Sequence, residues 1–274
     1  MYWSVQRARL QTAIRSVFQA ITLPLEKLLL WAWEHLLPGS RWIEKAGLPR
    51  RAVEQRLGTD LLIHVDPRQL IRGKGWQGVP AQCRPSSSAF IWDGDWDLRR
   101  GDLRHGSRYR LISDLASHRK NLRESEQYKV LKLRLDDGVP FASHQQGILL
   151  DSEERILNYL QVYLSFLDDM AVRGFDSARG KDWLGVAVSR EGRLLKINRG
   201  LHRLAMAQWL GLPSVPVRVM AVHHEWWQQV VGNAKGHEAW QRLARALSHC
   251  KAETRPGELD PIAWPDDFEW PASS

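Results

Sequence analysis

Residues 184–227 read LGVAVSREGRLLKINRGLHRLAMAQWLGLPSVPVRVMAVHHEWW, and the whole fold hangs on this stretch. Leu184 to Val188 is a short apolar run, Ser189 to Gly192 a tight-turn sequence, and Leu194 to Asn198 a second apolar run. Two runs of this length joined by a glycine-bearing turn predict a strand, a turn and a strand. Gly200 then opens a helix predicted over about 201–210, which stops at Gly211 and Pro213. Val215, Val217, Val219 and Ala221 alternate with less apolar neighbours, the period of a further strand.

The flanks extend the pattern. Upstream, Leu61, Ile63 and Val65 alternate as a strand ending at Asp66-Pro67, and a Gly-, Pro- and Ser-rich loop runs from Gly73 to Ser88. At that length a loop is functional or mobile rather than a simple connector. Asp151 with Glu154 forms a capping-box-like start to a helix whose buried face is Ile156, Leu160, Tyr163, Leu164, Leu167 and Met170, with Gly174 beyond its end. A last helix over about 237–250 buries Trp240, Leu243, Ala244 and Leu247. Strands and helices intermix without repeats, so the chain reads as α+β with a mixed sheet. Three segments follow: an N-terminal helical region 1–57, an α+β domain 58–256, and an acidic tail 257–274.

Composition narrows the classes. The chain has 274 residues, 43% apolar and 26% charged, which excludes a disordered or collagen-like protein. Cys83 and Cys250 are far apart and form no CxxC pair, so a zinc ribbon, an iron–sulfur cluster and a disulfide scaffold are excluded, and the chain reads as cytoplasmic. Net charge is +8, but residues 257–274 hold five acids and no base, leaving 39 Lys/Arg against 26 Asp/Glu before them. Arg99 to Arg134 alone carries eleven Lys/Arg and four Asp/Glu. Such a stretch suits nucleic acid or another phosphate-bearing partner, or is a solvated basic face. Residues 1–38 carry two helical patterns separated near Pro24. They form either a hairpin packed on the rest of the protein or a basic, Trp-bearing anchor on an anionic membrane surface, at the inner face of the membrane; charges interrupt every run long enough to span one.

Over Leu184–Trp227 the chain resembles the nucleotide-binding half of the ParB/sulfiredoxin-like superfamily. The residues that carry the likeness are Ile197, the turn Gly200-Leu201-His202-Arg203, the helix ending Leu210-Gly211, and the strand Val215-Pro216-Val217-Arg218-Val219. Ile63-His64-Val65-Asp66-Pro67 is similar to the first strand and turn of the same proteins. The resemblance implies a nucleotide such as ATP or CTP, or another phosphorylated small molecule, held by Asn198, Arg199, Gly200, His202 and Arg203. Members include DNA-partition proteins, sulfiredoxins and serine kinases. Leu201 replaces the reactive cysteine of sulfiredoxins, and Arg199 stands where many relatives hold an acid. The physical reading of the turn agrees: a glycine at a strand-to-helix junction lets backbone approach a phosphate, and the helix N-terminus directs N–H groups towards it.

A second constellation is Asp93-Gly94-Asp95-Trp96-Asp97. On extended backbone the three carboxylates share a side. Asp93 and Asp95 would then hold Mg²⁺, and Asp93, Asp95 or Asp97 would serve a nucleotide-dependent phosphotransferase. In the other reading the aspartates cap a turn and pair with nearby arginines, and the protein is a non-catalytic binding module or membrane adaptor.

Overall fold

A computed structural model describes residues 22–75, 79–80, 84–143, 147–180, 183–197, 200–261 and 267–272. Contacts gather the chain into two compact units, one containing Gly106–Phe175 and the other Leu23–His105 with Asp176–Ser274.

The larger unit is built on an eight-stranded mixed sheet. Its strands are β1 (Leu62–Val65), β2 (Arg72–Lys74), β3 (Ile91–Trp92), β4 (Arg100–Asp102), β7 (Leu184–Val188), β8 (Arg193–Lys196), β9 (Val215–His223) and β10 (Lys251–Ala252), in the order β1-β9-β7-β8-β2-β4, with β3 on β9 and β10 on β8. β7 and β8 form the antiparallel hairpin expected from the Ser189–Gly192 turn, and β9 lies parallel to β7. The crossover between β8 and β9 is helix α7 (Leu201–Leu210), which begins and ends at left-handed glycines, Gly200 and Gly211. β7 is buried at every position, as a central strand covered on both faces requires.

Helices α1 (22–34), α2 (Ser40–Lys45) and α3 (Arg50–Leu57) lead into this sheet, and α8 (His224–Val230) and α9 (Gly236–Leu247) follow it. The indoles of Trp33, Trp227 and Trp240 pack together with ring centroids 5.0–6.0 Å apart. Glu44 sits among them, accepting from Trp33 Nε1 at 2.8 Å, from Trp227 Nε1 at 3.0 Å and from Lys235. So α1 is fastened to the body by Leu30 and Trp33, both buried. Trp240 is a core residue, as read from the sequence, and Trp226 and Trp227 join it there.

The segment 257–261 is not a loose acidic tail. Asp260 accepts from the Arg100 backbone N–H at 2.7 Å, and the Leu259 N–H reaches the Leu98 carbonyl at 3.0 Å. Further on, Arg68 stacks over Trp270 and donates to the Pro271 carbonyl, and Arg104 lies over Phe268.

In the smaller unit, α4 (Ser107–Ser117), α5 (Glu126–Asp136) and α6 (Glu153–Arg173) bury Ile112, Leu115, Leu131, Ile156, Leu160, Leu164 and Leu167, beside a hairpin of β5 (Phe141–Ser143) and β6 (Ile148–Leu150). Helix α6 matches the expected face, but its N-cap is Ser152, whose side chain accepts from the Arg155 N–H, rather than Asp151. Among the described residues, no helix is long and apolar enough to cross a membrane.

Candidate anion-binding site

The turn after β8 is where the sequence placed its phosphate site. Gly200 has φ +80°, a conformation that favours glycine, and a Cβ there would lie 2.7 Å from Leu184 Cδ2. Glycine is therefore required twice over, for backbone shape and for space. Gly200→Ala should cost about 2 kcal/mol of stability in denaturant unfolding, the sum of φ strain and overpacking. A cost below about 0.5 kcal/mol would show that the turn relaxes around a side chain.

Of the residues expected around this turn, Asn198 and Arg199 lie outside the described residues. His202 is half-buried on the first turn of α7. Arg203 is engaged elsewhere: its guanidinium donates to the Asp176 carbonyl and packs so closely on Gly180 that no Cβ would fit there. In this arrangement Arg203 holds the 176–180 segment against α7.

Two partly or fully buried lysines on the strands that lead to this turn were not singled out from the sequence. Lys196, the last residue of β8, is only 2% exposed, and its ammonium donates to the carbonyl of Ile197. Its register partner on β7 is Val186, so by strand alternation it shares the face of Leu184, the residue on which Gly200 packs. On the other side β2 pairs with β8 at Gly73↔Lys196, so Lys74, the next residue, turns to the opposite face of the sheet. Lys74 is half-buried, with its ammonium 4.5 Å from the centroid of the Trp92 ring. Burial, with the charge of Lys74 adding to it, brings the Lys196 ammonium down to about 7. Burial and the nearby Arg84 bring Lys74 down to about 8. Both lysines therefore change charge near neutrality, which an anion beside them would oppose. The available signal was weak: Lys196 interrupts the apolar run Leu194-Leu195-Lys196-Ile197, and Lys74 sits in the glycine-rich stretch Gly73-Lys74-Gly75.

The aspartate cluster has a different use. Residues 93–98 form a turn, not an extended strand, so the three carboxylates do not share a side. Asp93 is exposed and accepts from the Gly94 N–H at 2.8 Å. Asp95, also exposed, accepts from Arg190 at 3.1 Å. Asp97 is fully buried, and both its oxygens are taken by the Arg190 guanidinium and backbone N–H, at 2.8–3.2 Å. His223, capping α8, accepts from the Glu225 N–H on Nδ1, which leaves Nε2 to donate to the Gly94 carbonyl at 2.9 Å. This is an arginine-neutralised knot, and its donor set does not fit Mg²⁺: one ligand is enclosed by a guanidinium, a second is paired with it, and the third caps its own turn. Among the described residues, no three His, Cys, Asp or Glu side chains converge as a metal site.

Burial alone would raise the Asp97 carboxyl, but the Arg190 hydrogen bonds outweigh it and hold the group below the ordinary carboxylate range. The pair thus contributes stability above that range and loses it as pH falls through the lowered value. Asp97→Asn should cost about 2 kcal/mol at pH 7, and the gap to the parent should narrow in acid, where Asp97 itself is protonated. A gap that is constant with pH would remove the ion pair as the cause.

The basic stretch 99–134 is divided between the two units. Arg100 pairs with Glu191 and Glu253, Arg104 with Asp102, Arg119 with Asp168, Arg123 with Glu153, and Lys132 with Asp136. With Lys129 on Glu126, six of its eleven cations are answered by acids, several from outside the stretch. Cys250, a buried thiol, is pushed up to about 12 by burial, which leaves it unreactive.

No family model, no curated protein and no solved structure matches this chain.

Proposed function

We propose that this protein binds a phosphate-bearing small molecule, a nucleotide in the reading that the ParB/sulfiredoxin resemblance suggests, at the Gly200 turn, with Lys196 as its buried cation and Lys74, on the neighbouring strand, adding its positive field. The observation that carries the proposal is the burial of the Lys196 ammonium at the Ile197 carbonyl, three residues before a glycine-opened helix. Burying an ammonium is expensive, and an arriving anion offsets that cost directly. The strand–turn–helix–strand order of β8, α7 and β9 supports the ParB/sulfiredoxin-like reading of the larger unit, in the cytoplasmic setting expected from cysteine usage. The engagement of Asp97 and Asp95 by Arg190 favours a binding module over a phosphotransferase, because it leaves the proposed chemistry without its carboxylates. The division of residues 99–134 and their ion pairing likewise favours a small ligand over nucleic acid.

Calorimetric titration with inorganic phosphate, pyrophosphate, ATP and CTP, each with and without Mg²⁺, tests the reading. Binding should be tighter at pH 6.5 than at pH 9, because the two lysines must be charged to hold the anion. At pH 8 it should take up protons, seen as a heat that varies with the ionisation enthalpy of the buffer. Absence of binding to all four ligands at pH 6.5 and low salt would overturn it, and so would affinity that rises with pH. Turnover of ATP or CTP that survives Asp97→Asn and Asp95→Asn would restore an enzymatic reading without those aspartates.

A further inference from the structure

The segment from α1 to α2 sorts its charges in a way the body of the protein has no need for. Residues 22–46 contain three acids and three lysines or arginines. Every acid is turned inward: Glu26 receives Arg51 at 2.6 Å, Glu34 receives Arg56 at 2.9 Å together with Trp240, and Glu44 lies among Trp33, Trp227 and Lys235. Every base, Lys27, Arg41 and Lys45, is exposed. Alongside these bases stand Leu25, Leu28, Leu29, Trp31, Leu36 and Trp42, all exposed apolar side chains, with Trp42 at 76%.

The connection between the two helices sharpens the point. Leu36 has φ +57°, an unusual and strained conformation for a residue with a branched side chain, and it is 64% exposed. The backbone is thus bent at a cost to present a leucine to the outside. Leu37 follows it outward, and Pro38-Gly39 completes the turn. A face meant for water would carry acids as well as bases and would not display tryptophans and a strained leucine.

We propose that the outer face of residues 25–45 lies in the headgroup region of an anionic lipid bilayer, with Leu25, Leu28, Leu29 and Leu36 entering the acyl boundary. Trp31 and Trp42 would sit at the headgroup level, where an indole is half-solvated, and Lys27, Arg41 and Lys45 would meet lipid phosphates. Charge complementarity selects the bilayer as occupant. A surface made of apolar groups and cations alone matches an anionic interface, whereas a second copy of the same face would bring like charges together. The inference stands apart from the phosphate site, because none of its residues belongs to that site.

The test is co-sedimentation of the full chain with vesicles of phosphatidylcholine alone and of phosphatidylcholine with about a third phosphatidylglycerol, near the charge of an anionic leaflet. The parent should bind the anionic vesicles and not the neutral ones. Leu28→Ser with Trp31→Ser should weaken that binding more than about tenfold by removing buried apolar area. Lys27→Gln, Arg41→Gln and Lys45→Gln should each weaken it about fivefold and flatten its salt dependence. All these side chains are exposed, so thermal midpoints should match the parent. A parent that ignores anionic vesicles at low salt would overturn the proposal, as would variants that bind as the parent does. A solution dimer split to monomers by Leu28→Ser with Trp31→Ser would assign the face to a second copy instead.

Discussion

Lys196→Met should make the protein more stable at pH 6 and weaken its affinity for phosphate at least about tenfold. The ammonium is buried and titrates near 7, whereas in the unfolded chain it titrates near 10.5. Between those values the unfolded state holds the extra proton, so the parent's stability rises with pH across that window. Below about 7 the lysine is charged in both states and the folded protein bears the whole desolvation penalty. Moving the ammonium from 10.5 to about 7 corresponds to about 5 kcal/mol. Part of that gain is lost when the hydrogen bond to the Ile197 carbonyl goes and methionine packs imperfectly, so a net gain of about 1–3 kcal/mol at pH 6 is expected. The gain should shrink as pH rises towards 10.5, above which the parent's lysine is neutral both folded and unfolded. Denaturant melts at the two pH values, with phosphate calorimetry at pH 6.5, check both halves. A variant that is less stable at pH 6 and binds phosphate as the parent does would show that Lys196 is a structural lysine, with no part in anion recognition.

The second large effect is at the opposite kind of buried charge, one that is fully answered. The Arg100 guanidinium donates to Glu253 at 2.6 Å, to both oxygens of Glu191 at 2.9 Å and to the Asp97 carbonyl at 2.7 Å, while its backbone N–H holds Asp260. Glu253 is only 2% exposed. Arg100→Met removes the cation and leaves that carboxylate buried with the backbone N–H groups of Thr254 and Arg255 as its remaining close donors. Stranding a buried charge costs about 3–5 kcal/mol. The loss should appear as a lower denaturation midpoint and as faster proteolysis after residue 253, because Arg100 joins β4 to the segment that follows β10. Adding Glu253→Gln to Arg100→Met should recover part of the loss. A double variant as unstable as the sum of the two singles would show that the residues do not act as a pair.

These two residues also mark what reading the chain alone reaches. Lys196 falls in an apolar run and Arg100 in a basic stretch; nothing local separates a lysine that will be desolvated from one that points to water, or an arginine that will be enclosed from a solvated one. The expectation for Asp93, Asp95 and Asp97 failed for a related reason. It rested on alternation along extended backbone, while Gly94, at φ +84°, bends the chain, and the partner that encloses Asp97 is Arg190, distant in sequence. The hairpin question was open in the sequence because helical periodicity names an apolar face without saying how much of it is covered. In the structure Leu30 and Trp33 are buried, while Leu28 and Trp31 are exposed.

The sequence by itself determined the α+β class, the β7–β8 hairpin, helix α7 between its two glycines, the alternating strand that became β9, and the buried face of α6. Each is a local decision, made by side-chain period, turn chemistry and caps acting over a few residues. Tertiary structure alone decided which charges meet: Arg190 on Asp97, Arg100 on Glu253, the field of Lys74 on Lys196 from the neighbouring strand, and the inward turn of Glu26, Glu34 and Glu44. Such pairings depend on strand register and on which surfaces close over one another. Burial then sets their energies, because a charge costs little in water and a great deal once water has been excluded.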